Sequence, residues 1–69
     1  MTNPHVIRDR GTIVARPGTT LLFVESPENY FAVGNADKVR VQIADKVEYE
    51  AIVGDQFANV TAVNGRRLP

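Results

Sequence analysis

Six turn signals recur at short spacing along this chain: Pro17-Gly18, Ser26-Pro27-Glu28-Asn29, Gly34-Asn35-Ala36-Asp37, Ala44-Asp45, Gly54-Asp55 and Asn64-Gly65. Each has a physical basis. Glycine supplies positive φ, proline pre-sets the first central position of a turn, and Asn, Asp and Ser bond their own backbone. Punctuation this frequent belongs to all-β sandwiches and barrels. The segments between the turns are rich in β-branched and aromatic residues, which fit a pleated, half-buried surface.

Five strands follow. The first spans about Val6–Arg16, and Gly11 in its middle marks a bulge or a sharp coil, as a small closed barrel needs. The second, Thr19–Glu25, contains Leu21-Leu22-Phe23-Val24, apolar on both faces and therefore either buried twice over or presenting an apolar surface. The third is Tyr30–Val33. Val39-Arg40-Val41-Gln42-Ile43 alternates well enough for a short strand or an ordered loop. The fourth, Lys46–Val53, puts Val47, Tyr49 and Ala51 on one face. The fifth, Phe57–Val63, sets Ala58, Val60 and Ala62 opposite Phe57, Asn59, Thr61 and Val63, and the small set suits a tight barrel interior. No segment reads as a helix. Five strands in about 60 residues make a Greek-key barrel of the oligonucleotide-binding type or an SH3-like barrel, and periodicity does not choose between them.

Sixty-nine residues make a single domain, with its core over about residues 6–63. So short a chain buries only about 60% of its unfolded surface. It has no cysteine, so neither disulfides nor a zinc-thiolate site can staple it, and His5 alone cannot make a metal site. No cofactor is implied. No run approaches the roughly 18 apolar residues of a membrane span, and no apolar signal region opens the sequence. The expected location is cytoplasmic.

The formal net charge is zero, which withholds a strong general attraction to phosphate backbones. The distribution is uneven. Residues 1–20 carry Arg8, Arg10 and Arg16 against Asp9, and the last residues add Arg66 and Arg67 with no acid. The middle of the chain is acidic. The basic ends either meet in a small positive patch or are separate solvated termini.

Asp45-Lys46-Val47-Glu48-Tyr49-Glu50, then Gly54-Asp55-Gln56-Phe57-Ala58-Asn59-Val60-Thr61, resembles the C-terminal half of a cold-shock domain. That family commonly reads there as a polar-Lys-Val-aromatic strand, a Gly-rich turn and Gln-x-Ala-Asn-Val. Gly11-Thr12-Ile13-Val14 resembles the family's opening Gly-x-Val-Lys. The resemblance covers about Gly11 to Val63 and implies a small five-stranded Greek-key barrel, a cold-shock-like OB-fold that binds single-stranded RNA or DNA without catalysis.

The departures matter as much. Where the family usually has Trp-Phe-Asn, this chain has Ala15-Arg16-Pro17. The first ribonucleoprotein motif lies over Thr19–Val24 and keeps only Phe23. The second lies over Tyr30–Gly34 and keeps Phe31, with Val33 in the histidine position and Gly34 in that of the next aromatic. The implied stacking platform is Phe23 and Phe31, helped by Tyr30 and Arg16, with Arg8, Arg10, Arg66 and Arg67 for phosphates. Each stacked base contributes about 1–3 kcal/mol, so losing roughly four stacking groups removes at least about 4 kcal/mol. That is on the order of a thousandfold in affinity. Binding is therefore expected to be weak.

Two alternatives stand beside this reading. Phe23 and Phe31 are core residues if the register slips by one. Leu21, Phe23, Phe31 and Val33 together make an apolar patch suited to a protein partner or a homodimer. Tyr49 reads as a barrel residue with its hydroxyl at the rim. Asn59-Val60-Thr61 matches a glycosylation triplet by chance. Enzymatic chemistry is not expected: no carboxylate pair, Ser/His/Asp set or phosphate loop stands at a usable spacing. Arg16-Pro17-Gly18-Thr19-Thr20 lacks the lysine and second glycine of such a loop.

Overall fold

The computed structural model describes residues 5–68. The described chain is all-β. Its strands are β1 (Val6–Ala15), β2 (Leu22–Glu25), β3 (Tyr30–Val33), β4 (Lys46–Ile52), β5 (Phe57–Val63) and β6 (Arg66–Arg67). The sheet order is β3-β2-β1-β4-β5-β6, and an extra parallel pairing of β3 with β5 closes the first five strands into a barrel. This is a small barrel of the oligonucleotide-binding kind.

Closure depends on β1 serving two partners. Val6 through Thr12 pair with Ile52 through Lys46 of β4, and Thr12 through Ala15 pair with Glu25 through Leu22 of β2. The strand must coil where it changes partner, and Gly11 sits there. A Cβ on Gly11 would lie 2.7 Å from both the Glu25 carbonyl oxygen and Val24 Cγ2. The expected break at Gly11 is thus a site of close backbone approach.

The seam between β3 and β5 is short. It consists of Ala32 opposite Phe57 and Val33 opposite Ala58, with bonds from Ala32 N–H to Gln56 O and from Gly34 N–H to Ala58 O. Asn35 extends it with a side chain. Its Nδ2 donates to Val60 O at 3.0 Å and its Oδ1 accepts from Val60 N–H at 2.9 Å. One amide thereby takes the place of a strand partner for β5.

The interior is filled by Ile13, Val24, Phe31, Val33, Val47, Tyr49, Ala51, Ala58 and Val60, with Val39 packed among them. Tyr49 is among the largest fully buried side chains, and its hydroxyl meets Ser26 Oγ at 3.0 Å, inside the β2–β3 turn. Val39–Ile43 forms no strand. It is an ordered loop that lends Val39 to the core and packs Val41 against it.

β1 ends at Ala15 rather than Arg16 and β4 at Ile52 rather than Val53, and three differences are larger. β2 begins at Leu22 rather than Thr19, because Thr19 Oγ1 accepts the Leu21 N–H at 3.1 Å in a local turn. A bulge shifts the β4–β5 register, Glu48 facing Ala62 but Tyr49 facing Val60, so Thr61 is the extra residue. Burial still alternates beyond it, Ala62 being 2% exposed and Val63 half-buried against the core, although Ala62 now stands opposite Glu48. Finally, Asn64 and Gly65 both take positive φ (50° and 83°), the two-residue turn that Asn-Gly favours, and the chain returns as β6. No helix of the described residues is long and apolar enough to cross a membrane.

Candidate nucleic-acid interface

Hairpin register decides which aromatics reach the surface. Phe23 pairs with Ala32, Val24 with Phe31 and Glu25 with Tyr30. Val24 is wholly buried, so its partner Phe31 also points inward, and Phe23, Tyr30 and Ala32 share the outer face. The outward aromatic pair is therefore Phe23 with Tyr30. Their ring centroids are 5.2 Å apart and their planes 10° apart. Tyr30 is 43% exposed and Phe23 half-buried.

Arg16, just past β1, lies over both rings. Its Cζ is 5.5 Å from the Phe23 centroid and 5.9 Å from that of Tyr30. A guanidinium over an aromatic face is attracted by the ring quadrupole. Three of the expected site residues, Arg16, Phe23 and Tyr30, are thus brought together as one cluster.

Phe31 is the correction. It is 8% exposed and tilts against Tyr49, with ring centroids 5.9 Å apart. It cannot stack a base. Val33, 4% exposed, also faces the core. The expected apolar patch of Leu21, Phe23, Phe31 and Val33 therefore splits. Leu21 and Phe23 lie outside the barrel and Phe31 and Val33 lie within it, because strand alternation separates neighbours across the sheet.

The basic residues meet, but not as a positive patch. Arg8, Arg10 and Arg67 line one cleft of about 690 Å³ together with Asp9, Glu48 and Glu50. The lining thus holds three cations and three carboxylates. Arg8 Nε donates to Glu50 Oε1 at 2.8 Å, and Arg10 stands opposite Glu48 in the β1–β4 ladder. Arg66 is exposed on β6. As phosphate ligands, Arg8 and Arg10 are each set across from a carboxylate, Glu50 and Glu48, and Arg16 is the cation at the aromatic cluster. A second cleft of about 700 Å³ runs along Gly11, Ser26, Lys46 and Asn64 and is likewise mixed, Arg10 and Lys46 being matched by Glu25 and Glu48.

One exposed aromatic was not among the expected site residues. Phe57 opens β5 at 51% exposure, its Cβ 3.2 Å from where a Cβ on Gly34 would stand. The sequence carried its signal, a large aromatic on the strand face opposite the small interior residues. A scan against protein-family models found no match, and neither the curated proteins nor the solved structures gave one.

Proposed function

We propose that this barrel is a diverged, cold-shock-like, non-catalytic binder of single-stranded RNA or DNA, acting through the outer face of β2 and β3. The observation that carries the reading is the Arg16–Phe23–Tyr30 cluster. It is an outward-facing stacked pair with a guanidinium above it, on the strands by which oligonucleotide-binding barrels hold their ligands. Bases stack on aromatic faces and on guanidinium planes without regard to sequence. With Phe31 in the core, the platform is smaller than the resemblance implies, so affinity is low. With Arg16 as the one cation of the cluster, its salt dependence is shallow. A slope near −0.7 in log K against log salt corresponds to one phosphate neutralised on a single strand.

The test is a titration of the protein with a short pyrimidine strand at two salt concentrations, followed by backbone amide shifts. Saturable shifts at Phe23 and Tyr30 support the reading. Their absence at low salt and near-millimolar strand overturns it. In that outcome the exposed apolar side chains Leu21 and Phe57, at 48% and 51%, favour the second reading, a surface for a protein partner or a second copy of this chain.

A further inference from the structure

We infer that the nucleic-acid track continues from β2 and β3 onto β5, where Phe57 and Asn59 make a second station for a nucleobase. The inference rests on the single-strand reading of the Phe23–Tyr30 cluster and extends its footprint. The registers place Val14, Phe23, Ala32 and Phe57 in one row across β1, β2, β3 and β5. Phe23 and Phe57 flank Ala32, which is outward-facing but only 7% exposed. Gly34, the next outward position just past β3, has no side chain, and a Cβ there would meet Phe57 Cβ at 3.2 Å. The floor between the two aromatics is therefore kept low by the smallest residues.

Phe57 contributes little to folding from this position. It lies outside the core cluster and leaves half of its surface in water. Asn59, two residues along the same face, is exposed, and its amide carries both donors and an acceptor for a base edge. A stacking face beside a two-way amide is what a splayed base requires.

Spacing restricts the ligand further. Phe23 and Phe57 are two strand intervals apart, about 9.5 Å. Successive stacked bases rise about 3.4 Å. Bases stacked as neighbours cannot occupy both stations, so the ligand is a flexible single strand with bases turned outward, not a duplex.

The experiment is a titration of the full chain with a six-nucleotide pyrimidine strand, for the wild type, Tyr30→Ala and Phe57→Leu. Phe57→Leu keeps an apolar side chain but removes the ring. Amide shifts, apparent affinity, melting temperature and sedimentation are read for each. The expected result is wild-type shifts at both Tyr30 and the Phe57–Asn59 segment, with roughly 5- to 150-fold weaker binding for Phe57→Leu at an unchanged melting temperature, the fold-change that corresponds to one stacked base. Shifts confined to β2 and β3, with Phe57→Leu binding as the wild type, overturn the extension and leave the proposed function standing. No shifts anywhere in the wild type overturn both. A dimer that Phe57→Leu dissociates, with strand binding unaltered, also overturns the extension and assigns Phe57 to self-association.

Discussion

Phe31 tilts against Tyr49 inside the barrel, their ring centroids 5.9 Å apart and their planes at 58°. The contact joins β3 to β4 through the middle of the core, and Tyr49 hands the connection on to the β2–β3 turn through Ser26. Removing the Phe31 ring leaves a cavity that so small a core cannot collapse around. Phe31→Ala is expected to cost about 3–5 kcal/mol of folding free energy. That is comparable with the whole stability of a domain this size. A melting curve checks it. A variant with a wild-type midpoint would put Phe31 at the surface after all.

Asn35 and Val60 form the other joint. Asn35→Ala removes a donor and an acceptor together and leaves the Val60 N–H and C=O at the seam without their partner. Each lost partner of a buried backbone group costs about 1–3 kcal/mol, and water reaching this half-buried position lowers the sum to about 2–3 kcal/mol. Asn35→Asp restores only the acceptor and turns a second carboxylate oxygen toward the Val60 carbonyl, so it is expected to destabilise as well. Chemical denaturation of the three proteins tests this. If Asn35→Asp matches the wild type, the Nδ2 donor contributes nothing to closure.

Much of the barrel was legible because its signals are local. Alternation in β4 and β5 placed Val47, Tyr49, Ala51, Ala58 and Val60 inward, and the Asn64-Gly65 pair announced a tight turn. What failed depended on pairing between segments. Whether Phe23 lines up with Phe31 or with Tyr30 is set by the β2–β3 register, and a shift of one residue exchanges the faces. Ala62 is buried as its alternation indicates, but the bulge at Thr61 that sets it opposite Glu48 leaves no mark in the alternation. The charge pattern misled for a related reason. Counting along the chain isolated Arg8 and Arg10 from Glu50 and Glu48, which the β1–β4 ladder sets directly across from them.

Gly11 tests the coil of β1. A methyl group there would press on the Glu25 carbonyl oxygen and Val24 Cγ2 at 2.7 Å, and the first of these is backbone that cannot rotate away. Gly11→Ala is expected to destabilise by about 1–3 kcal/mol, the usual cost of overpacking, even though alanine is the better residue for chain entropy. Thermal unfolding measures the balance. A gain in melting temperature would mean that β1 and β2 can separate without loss, and that the barrel does not depend on their close approach.

Arg16 carries the last prediction because it separates charge from shape at the proposed interface. Its guanidinium lies within 5.9 Å of both ring centroids, and it is the cation there not faced by a carboxylate across a ladder. Arg16→Lys keeps the charge but loses the planar group that stacks on rings and bases. Arg16→Ala loses both. If charge dominates, the lysine variant binds a pyrimidine strand as the wild type does, and only the alanine variant shows a salt slope reduced by about 0.7. If stacking dominates, both variants weaken by a similar factor, about two- to fivefold for an exposed cation–π contact of about 0.5–1 kcal/mol, while the lysine variant keeps the slope. The second outcome is expected, since a barrel of zero net charge has little field beyond this one residue. Tighter binding by Arg16→Ala would reverse the assignment, making the guanidinium a cover over the rings that the strand must displace.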